Sequence, residues 1–385
     1  ELGPPTARAG RARVLVRDTV RIPSRPDERG MVQTDVDAEL RERLSGMSDA
    51  EFRNFIRRMG LLQPQPVYYA GLILRTLLLL GLSLACLFLL DELRWQLVNA
   101  AFLAFVFGQI GVIGHDADHA QVSRSRPIND GIGVAVTFLT GLERSWWRKK
   151  HRAHHQAPNR TGWDPDIDIS VIACTEAQAL EKKWYLWPIV AFQALWFLPL
   201  CCLQGLNWQF TGLHYVLREK LGYPRAERLA MLGHLVVYYG LLFSVLAPLD
   251  ALAFIGVHQA CFGLYMGLMF APNHMGMPIL DEDTRLGFVE HQVVTSRSIR
   301  PHPVLDFLLC GLNRQVEHHV FPTMSRNRLP VVRPYLRALC ETRGIPYHDV
   351  GWITAHFEVL SELHRVSAPL RRLGPLRGWN ARASR

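Results

Sequence analysis

Three short histidine groups carry the chemistry that this chain can perform: His115-Asp-Ala-Asp-His119, His151-Arg-Ala-His154-His155 and Gln315-Val-Glu-His318-His319. Spacings of i,i+3 and i,i+4 put side chains on one face of a helix, so each group can present imidazoles to a shared centre. Imidazole binds iron, zinc, copper and nickel, and the ligand type alone leaves the metal open. Seven of the chain's 16 histidines fall in these groups. That number exceeds the needs of one ion and points to a two-metal site. A single histidine near a helix end is ordinarily a hydrogen-bonded or interfacial residue. Three spaced groups beside apolar stretches are not explained that way.

Other positions sort by depth and spacing. His274, in Phe270-Ala-Pro-Asn-His-Met, lies just past the end of an apolar run at the level of the groups, and it is the best additional ligand candidate. His258 precedes it by 16 residues on the same expected helix. That is about 24 Å at 1.5 Å per residue, too far to share a site. His234 reads as a packed, hydrogen-bonded residue within another apolar run. Asp116 and Asp118 read equally as partners that orient imidazoles or as solvated charges.

The elements that must position these residues are helices in a membrane. The chain has 385 residues, is 49% hydrophobic and carries a net charge of +9. Long apolar runs with basic loops point to a membrane protein and away from a nucleic-acid binder. A bilayer core needs roughly 20 helical residues. Residues 67–90, 95–114, 229–247 and 252–271 meet that length and form two tight hairpins. One side is heavily basic, including Arg124, Arg144, Arg148, Lys149, Lys150, Arg152, Lys182 and Arg225. The positive-inside rule places that side, both termini and all three groups in the cytoplasm. Residues 131–142 are too short to cross. Residues 185–203 have the length, but a single crossing there would put the third group on the opposite side from the first two. Both stretches are therefore expected to be interfacial or re-entrant.

The expected fold is an all-α integral membrane protein: two transmembrane hairpins with a cytoplasmic helical cap holding a histidine-rich dinuclear site. Residues 1–33 are expected to be a disordered basic segment and 34–66 a cytoplasmic helical lead-in. The membrane domain is assigned to 67–345, and 346–385 to a C-terminal helix and basic tail. Within these, helices are expected over 329–343 and 353–366, with a basic tail from residue 371 that is solvated or lies on anionic lipid. The seven cysteines form no C-x-x-C pair and read as buried hydrophobes. The sequence begins at Glu1, and the natural chain is expected to start earlier.

The pattern H-x3-H, H-x2-H-H and Q-x2-H-H around two hairpins resembles the membrane fatty-acid desaturase family. The likeness extends to Trp146-Trp147-Arg-Lys-Lys-His151, Asp164-Pro-Asp166, Phe270-Ala-Pro-Asn-His-Met-Gly-Met-Pro278, Thr295-Ser-Arg297 and Glu317-His-His-Val-Phe-Pro322. It covers roughly residues 60–345, and Gln315 is similar to the front-end and acyl-lipid branch. The resemblance implies two non-haem irons held by His115, His119, His151, His154, His155, His274, His318 and His319, with Gln315 at or near the metal. It implies O2 as co-substrate, an acyl-chain lipid as substrate and a carbon–carbon double bond as product. Asp118 departs from the pattern, standing where the family commonly has glycine. No His-Pro-Gly-Gly haem motif occurs in the sequence, so electrons are expected from a separate carrier such as a ferredoxin or a cytochrome b5 with its reductase.

Breaking an unactivated C–H bond needs a redox metal, which zinc is not. Two alternatives remain. The same histidines serve a membrane hydroxylase if hydroxyl rebounds after the first hydrogen abstraction. A non-enzymatic zinc-binding receptor or carrier would place ligands inside the spans, whereas here they lie at the rim.

Overall fold

The computed structural model describes residue 36 and residues 38–373, so the expectations for 1–33 and for the tail beyond 373 lie outside the described residues. In chain order the helices are α1 Ala38–Ser45, α2 Asp49–Arg58, α3 Pro66–Leu89, α4 Leu93–Asp118, α5 Arg126–Thr140 and α6 Arg144–Gln156. There follow α7 Glu176–Glu181, α8 Trp187–Ala191, α9 Gln193–Arg218, α10 Pro224–Val245 and α11 Pro248–His274. The remainder are α12 Phe288–Val294, α13 Pro303–Leu308, α14 Gln315–Val320, α15 Leu329–Arg343, α16 Trp352–Val366 and α17 Ala368–Leu373. Arg371, the expected start of the basic tail, lies in α17 and donates to the Ala191 carbonyl.

Four helices are long and apolar enough to cross a membrane: α3, α4, α10 and α11. They match the four expected runs, but α4 and α11 continue four and three residues beyond the limits read from hydropathy, through Asp118 and His274. The first histidine group and His274 are thus carried on the ends of these helices. The hairpin α3–α4 shows how polar groups are satisfied in an apolar setting. Gln96 Nε2 donates to the Leu87 and Leu90 carbonyls at 3.0 and 2.6 Å, which closes the C-terminus of α3. Asn99 and Ser83 pair side chain to side chain at 2.7 Å. On the outside, Leu74, Leu78, Leu89, Leu229 and Val236 are exposed, an apolar belt of the kind that lipid covers.

The stretch 185–203 differs from its expected limits. It breaks at Phe192, where the short limb and α9 meet at 103°, and α9 runs on to Arg218. Tertiary packing accounts for the extension. A Cβ on Gly205 would stand 2.7 Å from the Gln259 carbonyl, and one on Gly263 2.3 Å from the Cys201 carbonyl, so α9 and α11 touch backbone to backbone. Both ends of α9 attach to elements on the histidine side. Gln193 Nε2 donates to the Leu363 and Ala173 carbonyls at 2.9 and 3.0 Å. At the other end, Gly212 packs on Glu143 and Val216 accepts from Arg228 at 3.3 Å.

A separate apolar core lies beyond the membrane helices. Leu44, Phe52 and Ile56 of α1 and α2 pack on Phe321, Leu336 and Leu339. The α2 helix is started by a capping box, with Ser48 and Glu51 bonded reciprocally. Two short parallel strands, β1 Ser298–Ile299 and β2 Asp349–Val350, tie the segment after α12 to the C-terminal helices. Ser298 then fixes α14, its Oγ donating to Glu317 at 2.9 Å and accepting from the Val316 N–H at 3.2 Å.

Candidate metal centre

Four helix ends converge at the junction of membrane helices and cap. His115 lies in the last turn of α4 and His119 is its C-cap. His151, His154 and His155 project from α6, His274 ends α11, and His318 and His319 lie on the single turn of α14. Two sets result. His115, His119, His151, His155 and His318 bring ring nitrogens within 4.8 Å of one another, and His154, His274 and His319 do the same beside them. The sets adjoin through His155 and His319, whose rings stack at 4.2 Å. Gln315 touches the second set, its amide 3.0 Å from His274 Nε2.

Orienting bonds fix which nitrogen faces inward. Nδ1 of His115 meets Asp116 at 3.0 Å, that of His154 meets Asp164 at 2.9 Å, that of His274 the Thr295 carbonyl at 3.0 Å, and that of His319 Gln292 at 2.9 Å. Each Nδ1–H donates outward and leaves Nε2 with a lone pair for a cation. The orienting groups are held in turn. Asp116 accepts from Tyr69 at 2.8 Å and pairs with Arg326 at 2.5 Å, and Asp164 accepts from the Asn159 and Asp166 backbone N–H groups at 2.7 and 2.8 Å.

These residues fit a metal. Nε2 of His318 and of His319 is buried and has no hydrogen-bond partner. Buried donors left without partners in a converging set are what a cation would satisfy. Burial, reinforced by neighbouring imidazoles, holds His119, His151, His155, His318 and His319 well below the ordinary histidine range, hence neutral as metal ligands must be. His154 goes the other way: burial opposes its charge, but Asp166 and Asp164 outweigh burial and raise it.

Beside the first set lies a cavity lined by Gly111, Gly114, His115, Trp147, Trp208 and Phe270, among others. Trp147 also stacks on His151, with ring centres 5.2 Å apart. A Cβ on Gly111 would stand 3.2 Å from Leu142 and one on Gly114 3.1 Å from Val136, so α4 packs closely there, and Trp147, Trp208 and Phe270 supply aromatic walls. The remaining lining is mostly apolar, with Asp118 and Arg144 as its charged members.

Comparison with known proteins adds a decisive observation. A family profile described as fatty acid desaturase matches residues 93–351. The chain belongs to the fatty acid desaturase family. Its relatives include the acyl-lipid (9-3)-desaturase of Physcomitrium patens, 29% identical over 82% of this chain and 62% of that protein. The Delta(6)-fatty-acid desaturase fat-3 of Caenorhabditis elegans is 30% identical over 75% of this chain and 68% of its own length. The Delta 8-(E)-sphingolipid desaturase of Kluyveromyces lactis is 27% identical over 81% and 57%. The chain therefore spans about two thirds or less of these relatives. Family and helix content together make this desaturase-family chain an integral membrane protein.

All eight histidines named from the sequence, and Gln315, come together. His258 and His234 do not join them. His258 bonds Tyr238 at 2.7 Å, and His234 is held by the Phe138 carbonyl and Gln209, both at 3.0 Å. The two aspartates of the first group separate. Asp116 is a buried orienting partner, whereas Asp118 touches no histidine and faces Arg144 and Arg148. Sequence reading assigned no role to Gln292, Tyr69 or Arg326, and none of the three belongs to a spaced motif. Asp164 lay in a recognised motif without an assigned role.

Proposed function

We propose that this chain is an O2-dependent membrane acyl desaturase with two irons, held by His115, His119, His151, His155 and His318 on one side and by His154, His274 and His319 on the other. The observation that supports this most is the pair of adjoining histidine sets, with a largely apolar cavity reaching the first set at His115. Bound iron would supply the oxidising power, with O2 and two electrons, to remove one hydrogen from each of two adjacent methylenes. The protein does the rest. Asp116, Asp164, Gln292 and the Thr295 carbonyl hold the imidazoles in register. Trp147, Trp208 and Phe270 wall the acyl chain away from water. The methylene pair resting beside His115 sets the position of the double bond.

The site and both termini are placed in the cytoplasm, with 131–142 and α9 lying at the interface. The separate attachment of both α9 ends to the histidine side supports this four-span reading, as does the excess of cations there. Electrons are assigned to a separate acidic carrier, a ferredoxin or a cytochrome b5 with its reductase, docking on α6. Arg148 is engaged by Asp130 and Lys150 by Asp166, so the docking charge falls on exposed Lys149 and Arg152. Turnover that neither falls with ionic strength nor slows in Lys149→Ala would remove this docking assignment. Profiling the lipids of cells that express the protein with a carrier tests the reaction itself. New species lighter by two hydrogens are expected, and species heavier by one oxygen would favour the hydroxylase.

A further inference from the structure

The cavity beside His115 is not apolar throughout. Along α4 its lining runs Gly111, Gly114, His115, Asp118, a span of about 10 Å at the helical rise. Leu142, Trp208 and Met266 also line it, and its charged members are Asp118 and Arg144.

Its hydrogen bonding is incomplete. Asp118 Oδ1 lies 4.0 Å from Arg144 Nε and 3.8 Å from Arg148 Nε, too far for hydrogen bonds. Both Nε–H groups are buried without a partner, and Arg144 as a residue is 4% exposed. The terminal nitrogens of Arg144 are both engaged, as is Nη1 of Arg148. Arg144 pairs with Asp130 and, at 3.3 Å, with Glu227, and Arg148 reaches Asp130 at 3.0 Å. Gly133 makes the placement possible, since a Cβ there would stand 2.7 Å from Arg144 Nε. The result is one carboxylate facing two fixed Nε–H donors at ion-pair distance, with Asp118 and Arg144 on the cavity wall.

We propose that Asp118, Arg144 and Arg148 form a hydroxyl-binding slot, so that the preferred substrate is a neutral lipid carrying a free hydroxyl on the portion that lies beside His115. The inference rests on the acyl desaturase reading of the same cavity. A hydroxyl offers one donor and two lone pairs, which matches one carboxylate and two Nε–H groups. An ester or thioester carbonyl only accepts and would face Asp118 with its oxygen. An anionic head is disfavoured as well. Inside the network two guanidiniums face three carboxylates (Asp118, Asp130 and Glu227), and Arg126 approaches Asp130 only from the exposed rim, at 3.6 Å. Positioning the hydroxyl there holds the neighbouring acyl carbons against His115, so Asp118 acts on specificity through the lipid's placement.

The test uses the metal-loaded, detergent-purified protein and two probe pairs. One is a 2-hydroxyacyl lipid against its unhydroxylated analogue, the other an N-acyl long-chain amino alcohol against its deoxy analogue. Equilibrium binding is read by thermal shift, and conversion is read in competition with carrier, reductase and O2 present. In wild type the hydroxylated member of at least one pair is expected to win by about tenfold or more in both affinity and kcat/KM, the range of a hydrogen bond to a charged group. Asp118→Ala should bring that ratio close to one, and Asp118→Asn, which keeps the shape, should lower it if the alanine variant does not fold. Equal binding of both members of both pairs by wild type means that the slot holds only water, and it overturns the proposal. Discrimination in binding without conversion of any lipid would instead sink the desaturase reading while leaving the slot standing.

Discussion

Replacing Asp164 by asparagine separates the two histidine sets. Asp164 accepts from His154 Nδ1 at 2.9 Å and from two backbone N–H groups at 2.7 and 2.8 Å, and its side chain is fully buried. Asparagine keeps the shape but has one acceptor oxygen where three donors point. The imidazole of His154, a member of the second set only, loses its anchor. Removing such an orienting partner lowers metal affinity about 10- to 100-fold. That equals about 1.4–2.7 kcal/mol at 1.36 kcal/mol per tenfold. A charge-assisted hydrogen bond is worth about 1.5–3 kcal/mol, so the two magnitudes agree. The assay is a chelator titration of loaded, purified protein, with metal per chain read by elemental analysis. Wild type should release about two metals per chain over one range of chelator, given eight imidazoles in two sets. In Asp164→Asn one metal should leave at about 10- to 100-fold lower chelator while the other leaves as in wild type. If both metals shift together, or neither does, the assignment of His154 to a separate second centre is wrong.

Three further outcomes are expected. His154→Ala and His318→Ala should abolish conversion with the protein still in the membrane. His258→Ala should cost only its Tyr238 bond, about 1 kcal/mol of stability, and a variant as inactive as His154→Ala at equal expression would defeat the depth argument. Burial, with Glu227 adding to it, raises Glu143 from 4.5 to about 7. The folded state then holds a proton that the unfolded state releases, so wild-type stability should fall as pH rises between those values, and Glu143→Gln should show a shallower slope, most clearly between about pH 6 and 7, above the range of Asp118, which is raised to about 6. Identical melting-temperature profiles for the two proteins would show that Glu143 does not titrate there. In a background lacking native cysteines, a cysteine near Asp250 should react with an impermeant thiol reagent from outside, and ones near Lys182 or Arg225 should not. External labelling at either of the latter positions would mean that α9 crosses the membrane.

The histidine groups were legible because metal ligation imposes a spacing on a helix, and spacing survives in sequence. His274 was legible by depth, counted from the end of an apolar run. The partners that aim the imidazoles were not. Gln292 reaches His319 from a different helix, and Tyr69 and Arg326 meet at Asp116 from opposite ends of the chain. Contacts of that kind leave no local period. The membrane helices were legible from hydropathy to within a few residues at each end, but α9 was not. Its second half is polar, with Gln204, Asn207 and Gln209, and it stays helical because glycines on α9 and α11 allow close packing. Asp118 was open between an orienting role and a surface charge, and it adopts neither. It faces Arg144 and Arg148, and with Arg144 it lines the cavity beside His115.

The central claim is that the paired histidine sets remove two hydrogens from adjacent carbons of a lipid chain. It is tested most directly with an acyl lipid deuterated along its chain, given to the iron-loaded protein with carrier, reductase and O2, and read by mass spectrometry. The account predicts a product that has lost two deuterium atoms from neighbouring carbons and gained no oxygen. A product that retains all but one deuterium and carries an added oxygen would contradict it, as would O2 consumption with no change in the lipid.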